Sequence, residues 1–209
     1  MISKDLIEAL VSKCIDPSLA LPDPSLLQYY DDFSNRIIWL DSEIDSEALD
    51  IISKIIYWNR EDKDIPIEER RPIRIYFLSP GGELEIEEAI VSAIRLSKTP
   101  VWAVGMGMVA SAASLIYLSC SKRFALPNTY FIFHQGSCSN MSGSYDAVQA
   151  AMEDYKRSVE KLTTFYIENT DYTEEEVRSK IIHDWYIYLD EAKEKHIVTD
   201  IVENIDDIL

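Results

Sequence analysis

Ser111 is the side chain in this sequence best placed to act as a nucleophile. It sits in Gly-Met-Gly-Met-Val-Ala-Ser-Ala-Ala-Ser, residues 105–114, after an apolar run and before a small-residue run of helical character. A serine at a helix start has its hydroxyl near free backbone amides, and the N–H of Ala112 can complete an oxyanion-binding pair. Ser79-Pro80-Gly81-Gly82 repeats the arrangement of strand, glycine turn and helix start. A Gly-Gly turn leaves its N–H groups unshielded beside a helix N-terminus that favours anions, which singles out Gly82. His134 ends the apolar run Tyr130–His134, where a ring nitrogen can serve as a general base. His183 and His196 lie in polar helical surroundings and read as surface residues. Each feature taken alone also fits a plain structural role: a turn, close packing on a sheet, a hydrogen-bonded histidine. The serine string is not G-x-S-x-G, so the α/β-hydrolase elbow is not matched.

The elements that must position these groups follow from hydrophobic periodicity. Arg36–Asp41 and Ile73–Leu78 read as strands, with a helix from Asp45 or Ser46 to about Trp58 and a charged loop between them. Ser79–Gly82 is a turn. Glu83–Ser97 is an amphipathic helix burying Ile86, Ala89, Ile90, Ala93 and Ile94. Val101–Val104 is the third strand, followed by a glycine-bearing turn, a helix over Val109–Leu118 and a fourth strand over Tyr130–His134. Strand, helix and strand at this spacing predict a βαβ unit with parallel strands. The last third is helical: a long helix over Gly143–Thr170, a capping box opening at Thr173, and a short helix over Asp190–His196. A strand over Ile197–Val202 follows. At the other end, residues 2–13 have helical spacing, and the proline-rich stretch Asp16–Ser25 reads as an extended linker. Residues 1–34 form an arm and linker, and residues 35–209 the main domain.

The chain has 209 residues and a net charge of −17. The length suits a single sizeable core. The acidity excludes a nucleic-acid or anionic-membrane partner, since little here would neutralise phosphate. No apolar run reaches the ~18 residues that span a bilayer, and the acidic N-terminus is unlike a secretory signal, so the expectation is a cytoplasmic protein. Cys14, Cys120 and Cys138 lack metal-binding spacing, Cys120 reading as a buried thiol. No metal or cofactor is called for.

Together, Ser-Pro-Gly-Gly, then Gly-Met-Val-Ala-Ser-Ala-Ala-Ser, then Arg-Phe-Ala-Leu-Pro-Asn-x(5)-His-Gln resemble the Clp protease proteolytic subunit (ClpP) family, from about Asn35 to the C-terminus. The resemblance implies an α/β fold, the ClpP/crotonase-like superhelix of βαβ units with a long protruding helix, here 143–170. It implies a serine endopeptidase with Ser111 as nucleophile, His134 as general base, and Gly82 and Ala112 as oxyanion-hole donors. The family pattern sets the triad aspartate seven residues before a Glu-Ala pair; Glu191-Ala192 selects Asp184, with Asp190 as the fallback. Implied partners are unfolded protein or peptide substrates, copies of the same chain in a heptameric ring or two stacked rings, and a Clp-type AAA+ ATPase.

Some positions depart from the pattern. Gly136 stands where proline is usual, Arg74 where an aromatic lines the ATPase-docking pocket, and His183 where an arginine helps join two rings. The N-terminal arm lacks the axial-loop sequence. Two rival readings remain: a Ser–Lys peptidase using Lys122, eleven residues beyond Ser111, and a catalytically silent ring subunit or scaffold.

Overall fold

The computed structural model describes residues 24–137 and 141–209. The helix expected over residues 2–13 lies outside the described residues, as does the linker up to residue 23. Pro24 and Ser25, expected to be extended, instead open helix α1 (Pro24–Asn35), since proline is tolerated in a first helical turn. Phe33 of this helix packs against Tyr57 and Trp58 at ring-centroid distances of 5.1 and 5.2 Å.

Arg36 ends the turn after α1 in a left-handed conformation (φ 59°) and leads into β1 (Ile37–Leu40). Its guanidinium donates to both carboxylate oxygens of Asp62 at 2.6 Å, and to Arg71 O at 2.8 Å. Asp62 is the C-cap of α2 (Asp50–Glu61), which follows a 3₁₀ turn capped by Asp45. Thr99 Oγ1 also donates to Asp62 at 2.9 Å, so one carboxylate ties β1, α2 and the approach to β3.

β1, β2 (Ile73–Ser79) and β3 (Val101–Ala110) are parallel, and α3 (Leu84–Leu96) connects β2 to β3 as the βαβ spacing predicts. The buried face of α3 is carried by Ile90, Val91, Ile94 and, against expectation, Glu87. Ile86, Ala89 and Ala93 are half-buried.

β3 runs on through Gly105–Met108, where a turn was expected. Between the pairs Phe77–Gly105 and Ser79–Val109, β3 advances four residues while β2 advances two, so the glycines serve a bulge. A Cβ on Gly105 would lie 2.7 Å from Thr129 Cγ2, and one on Gly107 2.8 Å from Leu78 Cδ1. These glycines therefore admit close neighbours within a strand rather than turn the chain.

The long strand forks. Trp102–Gly105 pair with β4 (Lys122–Ala125), and Met108–Ala110 pair with β5 (Tyr130–Phe133). β4 carries β7 (Asp200–Ile201) at its edge, which is shorter than the strand expected over 197–202. β5 carries the antiparallel β6 (Trp185–Tyr188). Neither β4 nor β6 stood out in the sequence, because four-residue strands leave too short a pattern to separate from loop.

α4 (Ala112–Ser119) is buried along its length between the sheet and its neighbours. α5 (Tyr145–Asn169) is capped by Ser144 and buries only Leu162, Thr163 and Tyr166, so its earlier turns project from the core. α6 (Glu174–Lys180) opens on the expected Thr173–Glu176 capping box, and α7 spans Leu189–Glu194. The main core gathers Phe77, Tyr117, Phe131 and Phe133 under the helices. A smaller cluster of Tyr76, Val104, Phe124, Val202 and Ile208 forms separately.

Asp62 is 1% exposed, and removing one partner of a buried ion pair strands the other. Asp62→Asn is expected to destabilise the fold by about 3–5 kcal/mol at pH 7. The Arg36 hydrogen bonds, opposed by burial and aided by Thr99, hold the Asp62 carboxyl below its ordinary range. Its stabilisation is therefore complete above the unfolded value of about 4 and is lost as pH falls through the folded value. Urea unfolding of wild type and variant from pH 7 down to 3 measures this; the gap between them should narrow on acidification.

Candidate active site

Strand register brings the candidate residues together. Ala110 pairs with Ile132 in the parallel β3–β5 ladder, and Ser111 N donates to Ile132 O at 2.9 Å. That sets Ser111, one residue past β3, beside His134, the residue after β5. Phe133 pairs with Trp185 in the antiparallel β5–β6 ladder, so Asp184, just before β6, falls next to His134 on its other side.

The side chains then meet. His134 Nε2 lies 2.6 Å from Ser111 Oγ, and His134 Nδ1 lies 3.2 Å from Asp184 Oδ1. In the tautomer carrying its proton on Nδ1, the ring donates to Asp184 and accepts from the Ser111 hydroxyl. The His134 side chain is 29% exposed and that of Asp184 60% exposed. Asp190 sits in α7, exposed, and Asp184 carries the contact with His134. Lys122 points elsewhere: its ammonium lies 4.6 Å from the Phe124 ring centroid and 5.1 Å from that of Trp102.

Ser111 has φ 53° and ψ −129°, a conformation rare for a residue with a side chain. The surroundings hold it there. Ser114 donates to Ser111 O through both its amide (2.9 Å) and its hydroxyl (2.6 Å). Strand-to-helix strain of this kind raises a serine hydroxyl out of its backbone surroundings.

Gly81 and Gly82 lie directly against this elbow. A Cβ on Gly81 would come within 2.6 Å of Ser111 Cβ and 2.9 Å of Ala112 N, and its φ of +95° favours glycine independently. Ile44 clamps the turn from outside, donating to Gly81 O at 2.8 Å and accepting from Glu83 N at 2.9 Å. Among the described residues, that bond pair leaves the Gly82 amide without an acceptor. Ala112 is the first residue of α4, where amides have no intrahelical acceptor. The arrangement can present two N–H groups to an oxygen held near Ser111. The Ile44 clamp gave no signal in the sequence.

Behind the pair, Tyr166 is fully buried. It stacks on Phe133 at 4.2 Å, with its hydroxyl 3.5 Å from Ser114 Oγ. A chamber of about 200 Å³ opens between Leu84, two residues past Gly82, and Gln135, the residue after His134. Gly136 on its rim has φ +78°, which proline cannot adopt, and Tyr155 Oη donates to its carbonyl at 3.0 Å. Glu87, only 4% exposed, was not anticipated in the buried set; burial, with the Glu88 charge adding and Arg95 opposing, pushes its carboxyl up to about 8.

His183 and His196 are exposed, as expected, and His196 contacts Asp171. Cys120 is buried and its thiol is pushed up to about 12 by burial, which leaves it unreactive. Among the described residues, no group of three or more His, Cys, Asp or Glu side chains could hold a metal ion. None of the described helices is long and apolar enough to cross a membrane.

Comparison with known proteins gives a consistent set of relatives. A model of the Clp protease family matches residues 25–205. The chain is 31% identical to an ATP-dependent Clp protease proteolytic subunit 2 from Treponema denticola, covering 89% of this chain and 90% of that one. It is 36% identical to an ATP-dependent Clp protease proteolytic subunit 3 from Rhizobium etli, over 65% of this chain and 71% of that one. Among solved structures, a ClpP1 point mutant from Listeria monocytogenes superposes with a TM-score of 0.73 at 29% identity, covering 87% of this chain and 98% of that one. The architecture is accordingly α/β of the ClpP/crotonase-like type.

Two outcomes test the geometry. Gly81→Ala is expected to displace Ser111 and cut its labelling by a fluorophosphonate by roughly 100-fold, with the melting temperature as the control for folding. Glu87 keeps its proton in the fold up to about 8, while the unfolded chain loses it near pH 4.3. Stability therefore falls as pH rises through that window. Glu87→Gln should stabilise the protein by on the order of 2 kcal/mol at pH 7 and by little near pH 4, read by urea unfolding.

Proposed function

Because the chain belongs to the Clp protease family and is a serine-type endopeptidase by class, we propose that Ser111, His134 and Asp184 form its catalytic triad. Gly82 and Ala112 supply the oxyanion hole. The observation that carries this reading is the 2.6 Å contact of His134 Nε2 with Ser111 Oγ at a strained strand-to-helix elbow.

A serine hydroxyl is a weak nucleophile at neutral pH and needs a base as attack begins. Ser111 Oγ adds to the scissile carbonyl carbon while its proton passes to His134 Nε2. Asp184 Oδ1 accepts from Nδ1–H, fixing the tautomer and stabilising the imidazolium. The carbonyl oxygen becomes an oxyanion, met by the amides of Gly82 and Ala112; losing one such donor typically costs about 3–4 kcal/mol. His134 then returns the proton to the departing amine, leaving an acyl group on Ser111. Water, deprotonated by the same imidazole, releases the acid and restores the serine.

The substrates are unfolded proteins or peptides, cleaved inside a homo-oligomeric ring, heptameric or a stack of two, in the cytoplasm. The relatives carry "ATP-dependent" in their names, and we assign this chain a Clp-type AAA+ ATPase as its feeder. The projecting turns of α5, which hold no fully buried residue before Leu162 in one subunit, support assembly. Native mass measurement reads the ring directly.

The chemistry is tested with a fluorophosphonate probe and short peptides. Wild type should label at Ser111, with Ser111→Ala and His134→Ala unlabelled. Asp184→Asn should keep its fold and lose kcat by roughly three to four orders of magnitude. An assembled wild-type ring inert to both probe and peptides would instead support a silent scaffold.

A further inference from the structure

The carbonyl of Ser111 anchors the strained elbow, and Ser114 holds it twice, through its amide at 2.9 Å and its hydroxyl at 2.6 Å. A hydroxyl has a single proton to give. With that proton committed to Ser111 O, Ser114 Oγ is left as an acceptor, and the group facing it is the Tyr166 hydroxyl at 3.5 Å. Tyr166 is therefore the donor. The contact is long and weak as a single bond, but Ser114 and Tyr166 are both 0% exposed and have no bulk water as an alternative partner. A buried hydroxyl left unpaired is costly, which keeps the two together.

The same side chain reaches the base. The β3–β5 pairing ends at Ala110–Ile132, and Ser111 N closes the ladder on Ile132 O. From there Ser111 O turns to Ser114, and the main chain of His134 interacts with the Tyr166 hydroxyl. The Tyr166 ring lies flat on Phe133, the residue before His134, with centroids 4.2 Å apart and planes 12° from parallel. Burial pushes the phenol above its ordinary range, so the proton it gives Ser114 stays in place. Tyr166 is buried on α5 alongside Leu162 and Thr163, which fixes this turn of the helix to the core.

We infer that Tyr166 is a positioning residue for the proposed triad. Through Ser114 its hydroxyl braces the Ser111 elbow, and through Phe133 and the His134 main chain it seats the end of β5. One side chain of α5 thus sets the 2.6 Å approach of His134 Nε2 to Ser111 Oγ. The inference rests on the serine-peptidase reading. Tyr166 acts through its neighbours and is not a catalytic residue.

Tyr166→Phe deletes the hydroxyl and keeps the stack, while Ser114→Ala deletes the relay and keeps the amide bond to Ser111 O. Each should lower kcat on a short peptide roughly tenfold per fluorophosphonate-titrated site, with KM changed by less than about twofold. The two losses share one path, so the double variant should be about as slow as the slower single one. Independent effects would instead multiply to roughly a hundredfold. Tyr117→Phe is the control. It removes another fully buried phenol, whose hydroxyl donates to Phe124 O at 2.7 Å on β4, and should lower the melting temperature with kcat unchanged. Wild-type kcat in Tyr166→Phe, losses that multiply in the double variant, or an equal loss in Tyr117→Phe would overturn the assignment and leave the triad standing. A wild type that never labels would overturn the triad, and this inference with it.

Discussion

Ser111 N donates to Ile132 O, and both ends of the site depend on that bond. It carries the β3–β5 ladder one residue past the end of β3 and so fixes how far His134 stands from the serine. The β5–β6 ladder does the same for Asp184 from the other side. The three side chains come from segments more than twenty residues apart, yet backbone pairing determines their spacing. Side-chain rotamers then close the last ångströms. A slip of one residue in either ladder would turn these side chains to the opposite face.

Holding the site this way has opposing terms. Ser111 adopts a backbone conformation that costs on the order of 1–3 kcal/mol, and burial disfavours the ionised form of Glu87. Against these stand α4, buried from Ala112 to Leu118, the stacked Phe133–Tyr166 pair and the Arg36–Asp62–Thr99 knot. The stabilising groups lie mostly away from the chemistry. That division matches the general trade between a stable scaffold and a strained, preorganised site.

Much of this was legible in the residues. The Gly81-Gly82 turn, the serine at a helix start and the histidine after an apolar strand each had a readable local pattern. The long helix α5 and the Thr173 capping box were found nearly to the residue, because strong periodicity and caps are local signals. What escaped was non-local. Gly105 and Gly107 looked like turn residues, but their neighbours across the sheet, Thr129 and Leu78, decide that they lie in a bulged strand. Glu87 was not among the positions expected to be buried on this amphipathic helix, since nothing in α3 itself marks the cleft it shares with α5. The Ile44 clamp depends on a single parallel bridge to Gly82 and leaves no periodic trace.

The fork in β3 gives the sheet two mechanically separate branches. One branch, β5 and β6, holds His134 and Asp184 in register with the serine. The other, β4 and β7, is tied by Arg123, whose guanidinium donates to the carbonyls of Ile197 and His196. Arg74, whose buried Nε has no partner among the described residues, belongs to β2 opposite Trp102, on the half of β3 that pairs with β4. A shift of the β4–β7 branch therefore leaves the β3–β5 register, and with it the spacing of Ser111 and His134, in place. A single strand with two partners thus isolates strain on one branch from geometry on the other.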